Sequence, residues 1–288
     1  MTDTLDFDSL WDYSRPAETE THFRALLPAA ESQSDPYLQL LTQIGRAQGL
    51  QRRFDDAHST LDLVEASLPV ASARTRIRYL LERGRVYNSS GDPAAAKPLF
   101  EAALALAEDE PQEAYYAVDA AHMLAIVSPA EEALHRNLRA LQLAESSADA
   151  RARGWRGSLL NNIGWTYHEA GDFPAAFDYF QRALDFHRQH GPDAAYRIAR
   201  WSVTRVRRDL GQVDVALAEQ RALLAEHEAL GERSGYVFEE IGECLLLLGD
   251  PEGARPYFGK AYRELSADPW LVANEPQRLE RLRVLGNE

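Results

Sequence analysis

Apolar residues recur along this chain at the spacing of one helix face, and the same line of residues occurs three times. In each copy a Gly-Asp pair is followed by alanine, phenylalanine and alanine at i, i+4 and i+7, which is one face of an α-helix. The copies are Gly91, Asp92, Ala96, Phe100 and Ala103; Gly171, Asp172, Ala176, Phe180 and Ala183; and Gly249, Asp250, Ala254, Phe258 and Ala261. Identical offsets predict an internal repeat that contains a helix with a buried apolar face.

A second glycine stands seven residues before each Gly-Asp pair, at Gly84, Gly164 and Gly242. Glycine inside a helix costs about 1 kcal/mol relative to alanine, so its recurrence predicts close contact with a neighbouring helix. The glycine of the Gly-Asp pair can adopt the positive φ that ends a helix, and the aspartate can cap the next one. Each copy therefore predicts a helix-turn-helix unit.

This pattern resembles the tetratricopeptide repeat (TPR), in which a small residue, an aromatic and a turn glycine precede alanine, aromatic and alanine on a second helix. When the copies are aligned on the first alanine, weaker copies of the pattern are found between the strong ones. The alanines then stand at positions 57, 96, 133, 176, 216 and 254. The distance between successive alanines is longer than the common 34-residue unit. In this respect the chain resembles the long-repeat, kinesin-light-chain type. The run from Leu160 to Gly164 resembles that type too.

The resemblance implies an all-α fold, a right-handed α-solenoid of about six helix-turn-helix repeats with capping helices and about fourteen helices in all. We expect an acidic N-terminal arm and capping helix over residues 1–35, six repeats over 36–266, and a C-terminal capping helix over 267–288. The repeats are expected at about 36–70, 71–110, 111–150, 151–191, 192–231 and 232–266. The third copy lacks both glycines, and in the fifth copy Trp201, Arg205 and Arg208 replace the usual small and aromatic residues.

The arm from Met1 to Tyr13 mixes aspartates with apolar and aromatic residues. The aspartates are Asp3, Asp6, Asp8 and Asp12, and the apolar residues are Leu5, Phe7, Leu10 and Trp11. Acidic segments of this kind are often disordered, whereas the apolar residues favour an extended arm that lies along the repeats. Both alternatives are compatible with the sequence.

In the resembled family, the stripe of each first helix that faces away from the second helices lines a concave groove. The candidate groove residues are Arg46, Arg78, Arg85, Asn88, Tyr115, His122, Asn161, Trp165, His168, Trp201, Arg205, Arg208 and Glu243. Arginine and aromatic residues are frequent energetic anchors of interfaces. Arg85, Arg205 and Arg208 are suited to two-point hydrogen bonds with a carboxylate. The alternative for any one of these residues is an ordinary solvated or half-buried side chain.

The function expected from this composition is the binding of a peptide or partner protein segment, acidic or carboxylate-ended, without catalysis. The clamp that chaperone-binding TPR domains use is not matched, because Thr42, Arg46, Leu81 and Arg85 stand at the corresponding positions. No phosphate-binding loop, nucleophile elbow or zinc-protease motif occurs. We expect no cofactor and no metal, since His187 and His190 lack a clear third ligand.

Net charge and hydropathy indicate which classes of partner and which location the sequence disfavours. A net charge of −14 disfavours nucleic acid, which requires a positive surface. No run of about 18 apolar residues occurs, which disfavours a membrane span, and the acidic start disfavours a secretory signal. We expect a cytoplasmic, bacterial protein. Two alternatives remain open: a structural homo-oligomer such as a homodimer, or a regulatory peptide sensor similar to bacterial pheromone receptors. Those receptors carry an extra effector domain, and only about 35 residues precede the first repeat here.

Overall fold

The structure is a computed structural model that describes residues 7–287, and all regular secondary structure in this range is helical. The chain forms two compact units, Met1–Leu159 and Leu160–Glu288. In the first unit the α-helices are α1 (Pro16–Leu26), α2 (Asp35–Leu50), α3 (Phe54–Glu65), α4 (Ala73–Ser89), α5 (Pro93–Glu108), α6 (Ala114–Ile126), α7 (Ala130–Ser146) and α8 (Ala150–Gly154). A short 3-10 turn, Phe7–Leu10, precedes them.

The helix α9 (Arg156–Glu169) starts at the end of the first unit and continues into the second. It is followed by α10 (Phe173–His190), α11 (Asp193–Asp209), α12 (Val213–Ala229), α13 (Gly235–Leu247), α14 (Pro251–Leu265), α15 (Pro269–Asn274) and α16 (Pro276–Gly286). The described range holds sixteen α-helices, against the about fourteen that the sequence predicted, and the short helices α8 and α15 account for the difference. None of the helices in residues 7–287 has the length and apolar character that a bilayer crossing requires.

Within each unit, successive helices pack side by side. In the first unit α2 packs on α3 and α4, and α4, α5, α6 and α7 follow in order. In the second unit α10 to α14 pack in sequence, and α16 closes against α14. Consecutive helix pairs that bury one face against the next pair are the architecture of a helical repeat protein, which confirms the predicted fold class.

In each of the three strong copies, the glycine of the first helix contacts the phenylalanine of the second helix. A Cβ added to Gly84 would lie 2.5 Å from the ring of Phe100, and the corresponding distance from Gly164 to Phe180 is 2.6 Å. The pair of Gly242 and Phe258 repeats the arrangement at 2.9 Å. Because no side chain fits between helix and ring, glycine is required for this packing, as the sequence indicated.

The turns between the paired helices also follow the predicted chemistry. Gly91, Gly171 and Gly249 have φ of +94°, +78° and +80°. After each of them the aspartate side chain accepts a hydrogen bond from a backbone N–H three residues on, with distances of 2.9, 3.1 and 2.8 Å for Asp92, Asp172 and Asp250. Glycine thus ends the first helix, and aspartate caps the second.

The fifth copy replaces the glycine and phenylalanine contact with a polar one. Gln220, at the phenylalanine position, is fully buried and donates to the hydroxyl of Thr204 at 2.6 Å. Ala216, the alanine of this copy, is fully buried as well. In the third copy the buried Asn137 takes the phenylalanine position.

The two ends of the described chain are capped by helices. α1 begins at Pro16 and buries Phe23 completely. At the other end Pro276 opens α16, which buries Leu279 and Leu282. The single C-terminal cap expected from the sequence is preceded by the additional short helix α15.

Candidate functional site

The candidate residues of the first unit lie on the first helices of its repeats, and we call Arg46, Arg78, Arg85, Asn88, Tyr115 and His122 the unit 1 surface. Arg85 lies between two buried acids, with Nη2 at 2.5 and 2.6 Å from the carboxylate oxygens of Asp119 and Nη1 at 2.8 Å from Glu82. Burial alone would lower the pKa of Arg85, but Asp119 and Glu82 outweigh that effect and raise it above the usual range. The carboxylates that Arg85 holds therefore belong to the protein itself.

The segment Phe7–Tyr13 lies against this same surface. Both carboxylate oxygens of Asp8 accept from Nη2 of Arg78, at 3.1 and 3.0 Å. Trp11 donates from Nε1 to Oε1 of Gln43 at 2.8 Å. The guanidinium of Arg46 lies 5.4 Å from the Trp11 ring and 5.1 Å from the Tyr13 ring.

Of the two alternatives for the arm, the structure shows residues 7–13 packed on the repeats, with a 3-10 turn in place of a fully extended chain. Phe7 is buried in the same apolar cluster as Phe23. The earlier part of the predicted arm, which contains Asp3, Leu5 and Asp6, lies outside the described residues. Arg46 and Arg78 are thus covered by the protein's own chain.

An aromatic group forms the other end of the unit 1 surface. The ring of Trp155 lies 6.3 Å from that of Tyr115 and 5.3 Å from that of His122, and the guanidinium of Arg151 lies 4.9 Å from the Tyr115 ring. Burial raises the pKa of Tyr115 to about 12 and lowers the pKa of His122. Burial therefore favours the neutral form of the His122 imidazole. Asn88 is half-buried near the end of α4.

Sequence reasoning missed Trp155, because it lies at the junction of α8 and α9 and not at a first-helix groove position. It was also silent on which acids pair with which arginines.

The candidate residues of the second unit come together on α9, α11 and α13, and we call Asn161, Trp165, His168, Trp201, Arg205, Arg208 and Glu243 the unit 2 surface. The rings of Trp165 and Trp201 are 5.7 Å apart, and the guanidinium of Arg205 lies 5.7 Å from each of them. Trp201 donates from Nε1 to the backbone oxygen of Tyr236 at 3.2 Å. Ser202 donates to Oδ1 of Asn161 at 3.3 Å.

The charged groups of the unit 2 surface are paired internally. Arg205 and Arg208 donate to the two carboxylate oxygens of Glu240 at 2.5 and 2.8 Å, and Glu240 is only 1% exposed. His168 lies 2.7 Å from the Oδ2 atom of Asp209. Glu243 accepts from Arg281 of α16. The side chains proposed from the sequence as carboxylate holders in this unit therefore already hold a buried carboxylate.

A pocket of about 450 Å³ opens between α11, α12 and α13. Ile198, Trp201 and Tyr236 line its walls, and Leu223 and Val237 lie deeper. Ile198 is 59% exposed and Tyr236 is 39% exposed. The polar rim is a linked group in which Glu232 accepts from Arg197 at 3.2 Å and lies 3.0 Å from Nδ1 of His227.

Sequence models of the tetratricopeptide repeat match residues 77–110 and 112–189. These two stretches are tetratricopeptide repeats. No curated protein matches the chain by sequence.

Solved structures share its fold at low sequence identity. The apo form of RapI superposes with a TM-score of 0.67 at 14% identity over 94% of this chain and 77% of its own. The kinesin-light-chain TPR-like repeats of Podosopora anserina give 0.55 at 15% identity over 70% and 99%, which agrees with the long-repeat type expected from the sequence. NprR in complex with its cognate peptide NprX gives 0.52 at 15% identity over 93% and 76%.

Proposed function

We propose that this protein is a non-enzymatic scaffold that binds a peptide or a segment of a partner protein on the first helices of its repeats. The unit 2 surface, with its adjoining pocket, is the principal site in this proposal. The solved NprR structure holds a cognate peptide on a similar fold, which supports a peptide as the class of ligand. A net charge of −14 supports a partner other than nucleic acid.

The observation that carries the proposal is the apolar pocket bounded by Ile198, Trp201 and Tyr236. Two of these side chains are held by neighbours, because Trp201 is hydrogen-bonded to the Tyr236 backbone and the two rings meet at 5.6 Å. Such preorganised aromatic walls lose little entropy when a ligand binds. A ligand side chain that enters the pocket would gain about 25 cal/mol for each Å² of apolar surface buried.

Charge contributes less to binding in this unit than the sequence suggested. A ligand carboxylate that reached Arg205 or Arg208 would have to compete with the buried Glu240. Asn161, whose Oδ1 accepts from Ser202, supplies amide donors on the same helical stripe, which suits a peptide carbonyl. The ligand we propose for unit 2 is therefore anchored by an apolar or aromatic side chain and positioned by backbone hydrogen bonds.

The test uses a random twelve-residue peptide library displayed on phage and selected against the immobilised full chain. Enriched peptides are then measured by fluorescence anisotropy against wild type, Ile198→Ser and the control Val215→Ser, which alters an exposed apolar residue on α12. Loss of the pocket anchor is expected to weaken binding about tenfold, with the melting temperature and the control unchanged. Equal affinity for wild type and Ile198→Ser would show that the pocket is not the site.

The homo-oligomer alternative is favoured by a separate observation. The C-terminal helices α15 and α16 expose Trp270, Val272 and Val284 by 58%, 51% and 61%. Light scattering across a concentration series, for wild type and Trp270→Ser, tests whether this face joins two copies. A constant monomer mass at every concentration would remove the alternative.

A further inference from the structure

Arg78 differs from three other arginines of α4 in the origin of the acid with which it pairs. Those three pair with acids inside the repeats: Arg74 with Glu113, Arg83 with Asp62, and Arg85 with Asp119. Within the described residues, the ion pair of Arg78 is with Asp8 of the N-terminal segment. The side chain of Arg78 is 5% exposed. The acid that neutralises this buried charge therefore comes from outside the repeats.

The surroundings of Asp8 form a built carboxylate site. Besides the two contacts from Arg78 at 3.1 and 3.0 Å, the Tyr116 hydroxyl donates to Oδ2 at 3.4 Å, and Nη1 of Arg151 lies 3.6 Å from it. Two guanidinium groups and a hydroxyl from three parts of unit 1 thus meet at one carboxylate. Charge-assisted hydrogen bonds of this kind are stronger than neutral ones.

The aromatic contacts of the segment follow three residues later. Trp11 is held by Gln43, whose own side chain is 1% exposed, through the 2.8 Å hydrogen bond. Its ring and that of Tyr13 stack at 4.9 Å, and Arg46 lies over both. The segment therefore engages the unit 1 surface as an acidic residue followed at the third position by a tryptophan.

We propose that the segment Phe7–Tyr13 is a replaceable occupant of the unit 1 surface, and that the partner of this surface is a protein segment with a carboxylate three residues before a tryptophan. The inference rests on the proposed function, since it takes the first-helix surfaces as binding sites, but it concerns the unit that lacks the pocket. Departure of the segment takes the acid away from the Arg78 guanidinium. An incoming segment that covers Arg78 again must supply a carboxylate, since a buried charge without its partner is costly, so exchange favours that chemistry.

The experiment measures exchange in the full chain with a fluorescein-labelled synthetic peptide of residues 5–15 as the probe. The Asp8→Asn chain, in which the internal occupant is weakened, is expected to bind the probe about tenfold more tightly than wild type, because the site is covered for less of the time. Circular dichroism and melting check that this variant is folded. If it is not, the Trp11→Ala chain takes its place.

Matched peptides make the test specific. Asp8→Asn and Asp12→Asn peptides lose the same charge, but the Asp12 side chain is exposed and its hydrogen bonds in the described residues are to Ser14, which belongs to the same peptide. On the same chain the Asp8→Asn peptide is expected to bind about tenfold more weakly than the Asp12→Asn peptide. Equal binding of the two, or no binding of the unaltered peptide to any chain, would show that the segment is a fixed structural element.

The exchange experiment tests this proposal separately from the proposed function of the unit 2 surface. Ile198→Ser lies in the second unit and is expected to leave binding of the residue 5–15 peptide unchanged. A failed library selection at the pocket together with specific exchange at Asp8, or the reverse, would retain one proposal and remove the other.

Discussion

The glycine and phenylalanine contact gives the most direct measurement of how this repeat is held together. Gly84→Ala would place a Cβ 2.5, 2.8 and 2.9 Å from three atoms of the Phe100 ring, which is fully buried. Three contacts below 3.0 Å require the ring or the helix to move, and overpacking of this kind costs about 1–3 kcal/mol. Alanine regains about 1 kcal/mol of helix propensity over glycine. Because the ring has no free side to move toward, we expect the upper part of the range and a net loss of about 2 kcal/mol.

The assay is thermal and urea unfolding followed by circular dichroism, with a double-mutant cycle. A loss of about 2 kcal/mol corresponds to a melting shift of roughly 4–8 °C for a unit of this size. Gly154→Ala is the matched control, because no atom lies within 4 Å of the added Cβ. Phe100→Leu makes room for the new methyl group, so Gly84→Ala should cost less in that background, with a coupling of about 0.5–3 kcal/mol.

Gly84→Ala could instead melt at or above wild type, or cost the same with leucine at position 100. Either result would mean that the recurring glycine serves something other than contact with the ring.

Three further predictions test the packing of the second unit. Ala176→Leu should lower the free energy of unfolding by about 1–3 kcal/mol, measured by melting, because Ala176 is fully buried in the helix contact; an unchanged melting temperature would mean that this face is not packed. Gln220→Leu should be within about 1 kcal/mol of wild type or stabilising, since Oε1 of Gln220 is buried without a partner in the described residues; a loss well beyond that range in urea titration would show that its bond to Thr204 is essential. Burial raises the pKa of the Cys244 thiol to about 12, so the thiol stays protonated, and alkylation by iodoacetamide at pH 8 should be slow in the folded protein and fast in urea. Rapid labelling without denaturant would contradict the buried, protonated state.

Most of the fold was predictable because each repeat has local rules that recur at fixed offsets. Glycine at positive φ, aspartate at the cap and alanine on the packed face are each decided by neighbours a few residues away, as Gly171, Asp172 and Ala176 show. The substitution of Thr204 and Gln220 for the usual pair was not predictable in detail, because a hydrogen bond replaces a shape contact without any change in helix spacing. The groove positions were placed on the expected helices, but their ion-pair partners were not.

In two of these ion pairs, the arginine and the acid are about one repeat apart in the sequence. Arg85 and Asp119 are 34 residues apart, and Arg205 and Glu240 are 35 apart, which is close to one repeat. An arginine on one first helix thus meets an acid on the next, and a search for opposite charges at that separation would have found both pairs. Asp8 and Arg78 are 70 residues apart, and Asp8 belongs to no repeat, so no periodic rule connects them.

The origin of each ion pair also affects which ligand group each surface would bind under the two proposals. Where arginine and acid come from adjacent repeats, their separation is fixed by the helix packing, and an incoming carboxylate gains little from a guanidinium that is already neutralised. At such positions we expect a ligand to be recognised by the aromatic rings and the pocket walls, which include Trp201 and Ile198. At Arg78 the acid belongs to the segment Phe7–Tyr13 and to no repeat, so the exchange that we propose would not separate two repeat helices. A carboxylate should therefore be decisive for binding at unit 1, whereas an apolar side chain should be decisive at unit 2.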